Sequence, residues 1–329
     1  MQLSGDWHPT ASLETLKLRA RMLTRIRAFF LERGVLEVET PMLSAAATPD
    51  PALVSLATRY TGPLFPHGQP LYLHTSPEFP MKRLLAAGSG SIYQTCKVFR
   101  DGEAGRLHNP EFTLLEWYRL GFTPDQLIDE VAAIACIALG ETATVRHRYR
   151  DLFRAHLDLD PLCCPIDALS AAARRHLDLA FADADRDTWL EVLMSHVIEP
   201  KLGIDELSFV VDYPPSQAAL ARLRVDAEGQ KVASRFELYH RGVELANGYH
   251  ELLDADEQRA RFAADLRERE RLGLPAIPLD RHFLAALEFG LPDCSGVALG
   301  LDRLVMLAVG AASLPEVMAF PVSRLNCPL

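Results

Sequence analysis

Between residues 12 and 33 the apolar side chains Leu13, Leu16, Ala20, Leu23, Ile26 and Phe30 recur three or four apart. That is the spacing of one helix face, with Ser12 placed to cap the start and Gly34 to stop the end. The period then changes to two. Over residues 35–40 Val and Leu alternate around Glu37 and Glu39, predicting a strand that Pro41 ends. Residues 72–75 and 91–98 read as further strands. The second runs into a charged loop at 100–109, after which 112–118 resumes strand character. Thr123-Pro124-Asp125-Gln126 then opens a helix with Thr as cap, Pro at the first position and Gln closing a capping box. Its buried stripe is Leu127, Ile128, Val131, Ile134 and Ala138, and Gly140 ends it.

Residues 151–203 are mostly of helical pattern, with Asp187 read as the cap of a helix that stops before Pro200. This predicts a mainly helical insertion at about 150–205 on one domain spanning 1–329, rather than a second domain. A strand is expected at 209–213, and a hairpin of 235–239 and 243–247 around Arg241-Gly242. Residues 256–272 predict a charged helix whose Glu257/Arg261 and Asp265/Arg269 pairs suit a solvated face. Residues 297–300 lead into a last helix from 301 to about 311. Strands in the middle, joined mostly antiparallel and flanked by helices, predict an α+β fold.

Composition narrows the classes. The 329 residues are 49% hydrophobic and 24% charged, with 19 Gly and 22 Pro, which excludes a disordered or collagen-like chain. No apolar run reaches the length that spans a bilayer, and the richest, 304–312, follows directly on Asp302 and Arg303. A soluble protein is expected. Residues 1–7 (MQLSGDW) have neither the basic nor the apolar region of a secretion signal, so a cytoplasmic location is expected. The six cysteines, Cys96, Cys136, Cys163, Cys164, Cys294 and Cys327, include no Cys-x-x-Cys pair and read as reduced thiols. The net charge of −10 and the lack of a basic stripe argue against a chain built to grip a nucleic-acid backbone.

Neither glycine-rich phosphate-loop signature is present, and Gly88-Ser89-Gly90 reads as a turn. No metalloprotease-like His-Glu-x-x-His occurs either. A bound nucleotide would therefore rest on arginines and on carboxylates that bridge a metal. Arg100-Asp101-Gly102-Glu103, Arg106 and His108-Asn109 form a strand end and a basic loop before the return strand from Phe112 to Glu116. Arginine suits bidentate phosphate contacts, although taken alone the segment equally fits an exposed hairpin tip. In the second hairpin a two-residue turn sets Tyr239 opposite Glu244, with Glu237 one diagonal step away on the same face. Phe236, Leu238 and Leu245 fall on the other face. Two such carboxylates form either a Mg²⁺ site or a solvated sheet surface.

In order along the chain these segments resemble the three signature motifs of class II aminoacyl-tRNA synthetases. Gly34 to Pro41 resembles motif 1, Phe99-Arg100 through Phe112 to Glu116 resembles motif 2, and Gly296-Val-Ala-Leu-Gly300-Leu-Asp-Arg303 resembles motif 3. The finer match is to the lysyl branch, on His108-Asn-Pro-Glu-Phe-Thr113, Phe236-Glu-Leu-Tyr239 and Glu244-Leu-Ala-Asn-Gly-Tyr-His-Glu251. The lysyl enzymes begin with an OB-fold that holds the anticodon, whereas here the catalytic pattern starts within the first dozen residues. The chain is thus most similar to stand-alone lysyl paralogues whose acceptor is elongation factor P. Thr75-Ser76-Pro77-Glu78 and Leu115-Glu116-Trp117-Tyr118 carry that likeness.

The resemblance implies a class II catalytic fold with an antiparallel sheet, a homodimer, ATP as co-substrate and Mg²⁺. It also implies an AMP-forming ligase acting on (R)-β-lysine, elongation factor P as acceptor, and neither stable tRNA binding nor a membrane. The same resemblance assigns catalysis to Arg100 and Arg303, and ATP to Arg100, Asp101, Gly102, Asn109, Phe112, Glu244, Leu245, Gly300 and Arg303. Phe112 and Arg303 would sandwich the adenine, Arg106 and His108 would reach the distal phosphates, and Glu237 and Glu244 would hold the metal. Glu251 with Tyr118 would read the distal ammonium of the amino acid, and Glu78 with Ser76 the proximal one, beside Pro77 and Ala298. Two positions depart from the pattern. Position 102 is Gly, with the motif 2 acid one residue later at Glu103. Ala298 stands where the tRNA-charging lysyl enzymes have Gly, and its methyl would crowd an α-amino group. A truncated lysyl-tRNA synthetase, a free amino-acid ligase and an inactive regulatory paralogue are the alternatives.

Overall fold

The computed structural model describes residues 7–178 and 183–324. Most of the N-terminal stretch read for targeting, the far ends of the 1–329 span and Cys327 lie outside the described residues. In chain order the elements are α1 (Leu13–Glu32), β1 (Leu36–Glu37), β2 (Leu43–Ser44), β3 (Ala57–Tyr60), β4 (Gln69–Leu73), α2 (Glu78–Ala86), β5 (Ile92–Phe99) and β6 (Glu111–Leu120). There follow α3 (Pro124–Leu139), β7 (Thr144–Arg148), α4 (Tyr149–Leu157), α5 (Ile166–His176), α6 (Arg186–Leu193), β8 (Leu207–Tyr213) and β9 (Leu223–Val225). The chain closes with β10 (Lys231–His240), β11 (Val243–His250), α7 (Ala255–Arg271), α8 (Arg281–Gly290), β12 (Cys294–Gly300) and α9 (Leu301–Val309).

One nine-stranded sheet runs β1-β5-β6-β12-β11-β10-β8-β7, with β9 paired to β10 off that path. Its middle is antiparallel, and only the outer pairs β1/β5 and β7/β8 are parallel. The chain is α+β, as its patterning predicts. A small sheet, β2-β4-β3, stands beside it.

Local chemistry accounts for the helix ends. Ser12 Oγ accepts the Thr15 N–H at 3.1 Å, and Thr123 with Gln126 forms a complete capping box with Pro124 inside the first turn. Gly34, at φ +64°, takes the left-handed turn after α1 that a side chain would resist. Met22, Ile26 and Phe30 of α1, Leu127, Ile128, Val131 and Ile134 of α3, and Leu301, Leu304 and Val305 of α9 cover one face of the sheet. That face presents Leu115, Trp117, Phe236, Leu238, Val297 and Leu299, the inward set of a period-two alternation. The opposite face is left for the site.

Four expectations need correction. The strand expected over 35–40 shrinks to Leu36–Glu37: the ladder on β5 ends with the Val38 N–H to Tyr93 O bond of 2.9 Å, and Thr40 meets β5 through its side chain instead, donating Oγ1 to Gln94 Oε1 at 3.0 Å. Asp185, not Asp187, caps α6, accepting the Thr188 N–H at 2.8 Å; Asp187 instead accepts from Ser216 Oγ at 2.6 Å. On α7 the Glu257–Arg261 pair forms, but Arg269 turns inward and donates to the carbonyls of Asp50 and Pro275, so that face is not solvated throughout. The second hairpin also departs from its simple register. Arg241 and Gly242 both have positive φ (51° and 68°), the backbone of a tight two-residue turn. His240 faces Val243 and Tyr239 faces Glu244 as expected, but Leu238 then pairs with Ala246 and Glu237 with Asn247. Leu245 is an extra residue in β11, a β-bulge.

Candidate active site

The uncovered face of the sheet floors a cavity of about 1470 Å³. Its strands contribute alternate residues: Phe112, Leu114, Glu116 and Tyr118 from β6; Arg235 and Glu237 from β10; Gly296, Ala298 and Gly300 from β12. On β11 the cavity takes Glu244 and the bulge residue Leu245, and then Asn247 and Tyr249, so an even-numbered residue before the bulge is followed by odd-numbered ones after it. The bulge at Leu245 causes that change of parity. Without it, Glu244 and Glu251 would project to opposite faces.

At one end lie the arginines. Arg100 follows the last residue of β5, and its N–H bonds Pro110 O at 2.9 Å, closing the neck of the loop between β5 and β6. Its guanidinium stands 5.0 Å from the Phe112 ring centroid and meets Glu103 at 3.4 Å, while its buried Nε has no partner. This partial engagement leaves hydrogen-bonding capacity for an anion. Arg303, in the first turn of α9, donates to the Glu244 carbonyl at 2.9 Å and contacts Glu244 Oε2 at 3.3 Å. It reaches His108 Nε2 at 3.0 Å and Leu107 O at 3.3 Å, tying the loop to β11. Burial and the neighbouring Arg303 both lower the His108 pKa.

Glu237 and Glu244 come together beside them. Glu237 is held by Arg235 and by the hydroxyls of Tyr213 and Tyr239. Burial, and Glu237 after it, raise the pKa of Glu244. Two hard carboxylates that repel each other suit a divalent cation also bound by phosphate oxygens. Among the described residues no group of three or more potential ligands is gathered, so protein donors alone do not make a closed cage.

At the other end is a buried carboxylate pocket. Glu116 accepts from Ser76 Oγ and Tyr118 Oη, each at 2.7 Å, and Ser76 Oγ also accepts the Glu78 N–H at 3.0 Å. Glu78 contacts Lys82 at 2.5 Å and Glu251 contacts it at 2.6 Å. Burial pushes the Glu116 carboxyl up to about 8 and the Glu251 carboxyl to about 7, the latter opposed by Lys82. Ala298 sits directly opposite Glu116 across the β12/β6 pair. Gly296, opposite Tyr118, is obligatory: a Cβ there would lie 2.3 Å from the Tyr118 ring and 2.4 Å from Glu251 Oε1.

Thus Ser76, Glu78, Tyr118, Glu251, Ala298, Arg100, Asn109, Phe112, Glu237, Glu244, Leu245, Gly300 and Arg303 all line one cavity. Pro77, Asp101, Gly102 and Arg106 are not among its lining residues. Pro77 precedes α2, Asp101 accepts the Gly102 N–H at 2.9 Å, and Arg106 donates to Ala312 O at 3.4 Å. The Asn109 amide is used within the protein, donating to Glu111 O at 2.6 Å and accepting from Val322 N at 2.9 Å.

Three positions escaped the sequence assignments. Glu116 is signalled only by a carboxylate in an otherwise apolar strand. Gly296 is visible as a glycine but not as a steric requirement. Asp302 accepts from Arg19 Nη1 at 2.5 Å and from Thr113 N at 2.6 Å, so it bolts α9 to α1 and β6 beside Arg303.

Comparison with known proteins places the chain in a family. The profile of tRNA synthetases class II (D, K and N) matches residues 6–324. An elongation factor P–(R)-β-lysine ligase from Yersinia enterocolitica is 51% identical over 98% of this chain and 100% of its own length. Proteins of the same name from Proteus mirabilis (49%, over 97% and 98%) and Histophilus somni (48%, over 98% and 99%) are similarly close. With nearly its whole length matched, the chain belongs to the class II tRNA synthetase family of the D, K and N group.

Proposed function

We propose that the protein is an ATP-dependent, AMP-forming ligase that activates (R)-β-lysine and transfers it to a lysine side chain of elongation factor P. The observation that carries this reading is a single cavity with two arginines at one end and three carboxylates at the other, Glu116 and Glu251 buried and Glu78 partly so. It offers anion contacts and cation contacts at the two ends of one molecule, as an ATP-activated diamino acid requires. The relatives' names supply the acceptor.

In the first step the substrate carboxylate oxygen attacks the α-phosphorus, and the bond to the bridging oxygen breaks as pyrophosphate leaves. Arg100 orients the carboxylate and the α-phosphate. Arg303 contacts the γ-phosphate and, with Phe112, flanks the adenine. Glu237 and Glu244 would hold Mg²⁺, which when bound screens the charge of the phosphates. Glu78, Glu116 and Glu251 receive the two ammonium groups, each needing a carboxylate partner once buried. In the second step the acceptor amine attacks the acyl carbon, an amide forms, AMP leaves and the amine gives up a proton.

The cavity lining also includes Asp50, Asp185, Asp187, Glu191, Asp265 and Glu268, a surface that attracts a lysine-bearing loop and repels a phosphate backbone. This supports a protein acceptor over tRNA, in a cytoplasmic setting, and disfavours the truncated-synthetase reading. Among the described residues no helix is long and apolar enough to cross a membrane. A single catalytic domain with residues 150–205 as its helical insertion is part of the proposal. So is a homodimer, because Leu31, Leu36, Met42 and Leu43 at and after the end of α1 are exposed.

The test is transfer of labelled (R)-β-lysine and L-lysine, with ATP and Mg²⁺, to elongation factor P and to tRNA side by side. Label on the protein, stronger with β-lysine, is the expected result. Label on tRNA alone makes the protein a minimal synthetase, and no label on either overturns the reading.

A further inference from the structure

Lys82 is a buried cation that no step above uses. It is 1% exposed, on the second turn of α2, and is absent from the cavity lining although its partners Glu78 and Glu251 are part of it. Its Nζ meets Glu78 Oε1 at 2.5 Å, one helical turn back on the same helix, and Glu251 Oε2 at 2.6 Å, just beyond β11. The rings of Tyr118 and Phe283 stand 6.0 and 5.8 Å away, and Cys294 of β12 is also close enough to feel its charge. The two carboxylates that line the diamine end of the cavity are therefore gripped from behind by one ammonium group. The other oxygen of Glu251 lies over Gly296, where a side chain would strike it.

Charge sets what this arrangement does. Glu78, Glu116 and Glu251 ionised carry three negative charges, and Lys82 cancels one of them. The remainder, two, equals the two ammonium groups of a diamino acid. Removing the lysine would leave three carboxylates crowded in a buried space, where mutual repulsion and desolvation force one to take up a proton.

We propose that Lys82 is a positioning residue for the diamine: from behind the cavity wall its ammonium fixes the direction of Glu78 and Glu251 and offsets their mutual repulsion, so that both can pair with substrate cations. The proposal rests on the reading of this pocket as the diamine site. It assigns Lys82 no contact with substrate, ATP or the reacting atoms.

The test is ATP–pyrophosphate exchange with (R)-β-lysine, over pH 5.5–9, on the wild-type protein, Lys82→Met and Lys82→Arg. For Lys82→Met the expected result is a rise of roughly tenfold or more in KM for (R)-β-lysine, with KM for ATP within about twofold. The acid limb of its kcat/KM profile should move to higher pH, because carboxylates deprived of a neighbouring cation protonate more readily. A purely structural role would lower activity at every pH and leave the limb in place. Lys82→Arg keeps the charge with a different reach, so it should raise the diamine KM less and leave the limb at the wild-type position. If Lys82→Met does not fold, Lys82→Arg decides alone: equal changes in the KM of ATP and of diamine overturn the proposal. An unchanged diamine KM and acid limb in Lys82→Met overturn it also. Those outcomes presuppose a wild-type protein that exchanges with the diamine; a wild-type protein that does not overturns the pocket reading and the proposal together.

Discussion

Glu251 shows how much rests on one side chain. It is buried, lines the cavity, contacts Lys82 through one carboxylate oxygen and lies over Gly296 with the other. Glu251→Gln keeps the shape and removes the charge, so diamine activation should fall by about 10²-fold or more, the cost of leaving a buried ammonium unpaired. Pyrophosphate exchange with (R)-β-lysine measures it, and an unchanged rate would sink the pocket assignment. Arg303→Ala should cut ATP-dependent exchange by about 10²–10³-fold, as for the loss of one preorganised charge-stabilising donor. Proton release gives a third measure. With Glu116 pushed up to about 8 and Glu251 to about 7, the empty pocket holds protons at pH 7. A dication that binds there ionises them, so binding should release protons and weaken as pH falls below about 8. Calorimetry in two buffers of different ionisation enthalpy measures the release; a buffer-independent heat would contradict it.

At the scale of elements, what matters is which face each strand presents. The bulge at Leu245 puts Glu244 on the same side as Asn247 and Tyr249. The two-residue turn was legible from Arg241-Gly242, but nothing in the local sequence announces the extra residue three positions later. The bulge is stabilised by what it achieves: both Leu245 and Ala246 are buried in the core. Gly296→Ala tests close approach of elements. Its Cβ must displace the Tyr118 ring or the Glu251 carboxylate, so KM for the diamine should rise at least about tenfold with KM for ATP little changed. Asp302→Ala should do the converse. It unfastens α9 from α1 and β6, leaves Arg19 short of its partner and costs about 3 kcal/mol of stability, with the loss of ATP affinity exceeding that of diamine affinity. Thermal melts and the two KM values together measure it.

At the scale of the whole molecule, the buried acids make stability depend on pH in an unusual direction. Glu116 at about 8, and Glu251 and Glu199 at about 7, all lie above their ordinary values, so the folded state binds more protons than the unfolded one between those values and about 4.5. The lowered histidines His74, His108, His156 and His250 act oppositely, but only below their usual 6.5. Between pH 6.5 and 8 the melting temperature of the substrate-free protein should therefore fall as pH rises, and added diamine should reverse the trend. A melting temperature that climbs across that window would show the acids to be ionised already. Leu36 at 54% exposure and Leu43 at 47% belong at a subunit contact on the dimer proposal. Leu36→Glu with Leu43→Glu should convert a species of twice the monomer mass to a monomer in light scattering.

The α+β class, the long capped helices and the residues able to carry phosphate and cation chemistry can all be read from the order of amino acids alone. Periodicity, capping and side-chain type are local properties, written in neighbouring residues. The sequence also supplies the order of three motifs, and with it the family. Which of those residues share a space is set by packing in three dimensions. The short β1, the exposed and mostly polar β7, and the inward turn of Arg269 follow from pairing and packing between segments far apart in the chain. The same holds for the cluster of Glu78, Lys82, Glu116 and Glu251: α2, β6 and the end of β11 bring these residues together although up to 173 positions separate them. A charge pattern in sequence has no distance in it. The value of a buried carboxylate depends on that distance, and on water being kept out.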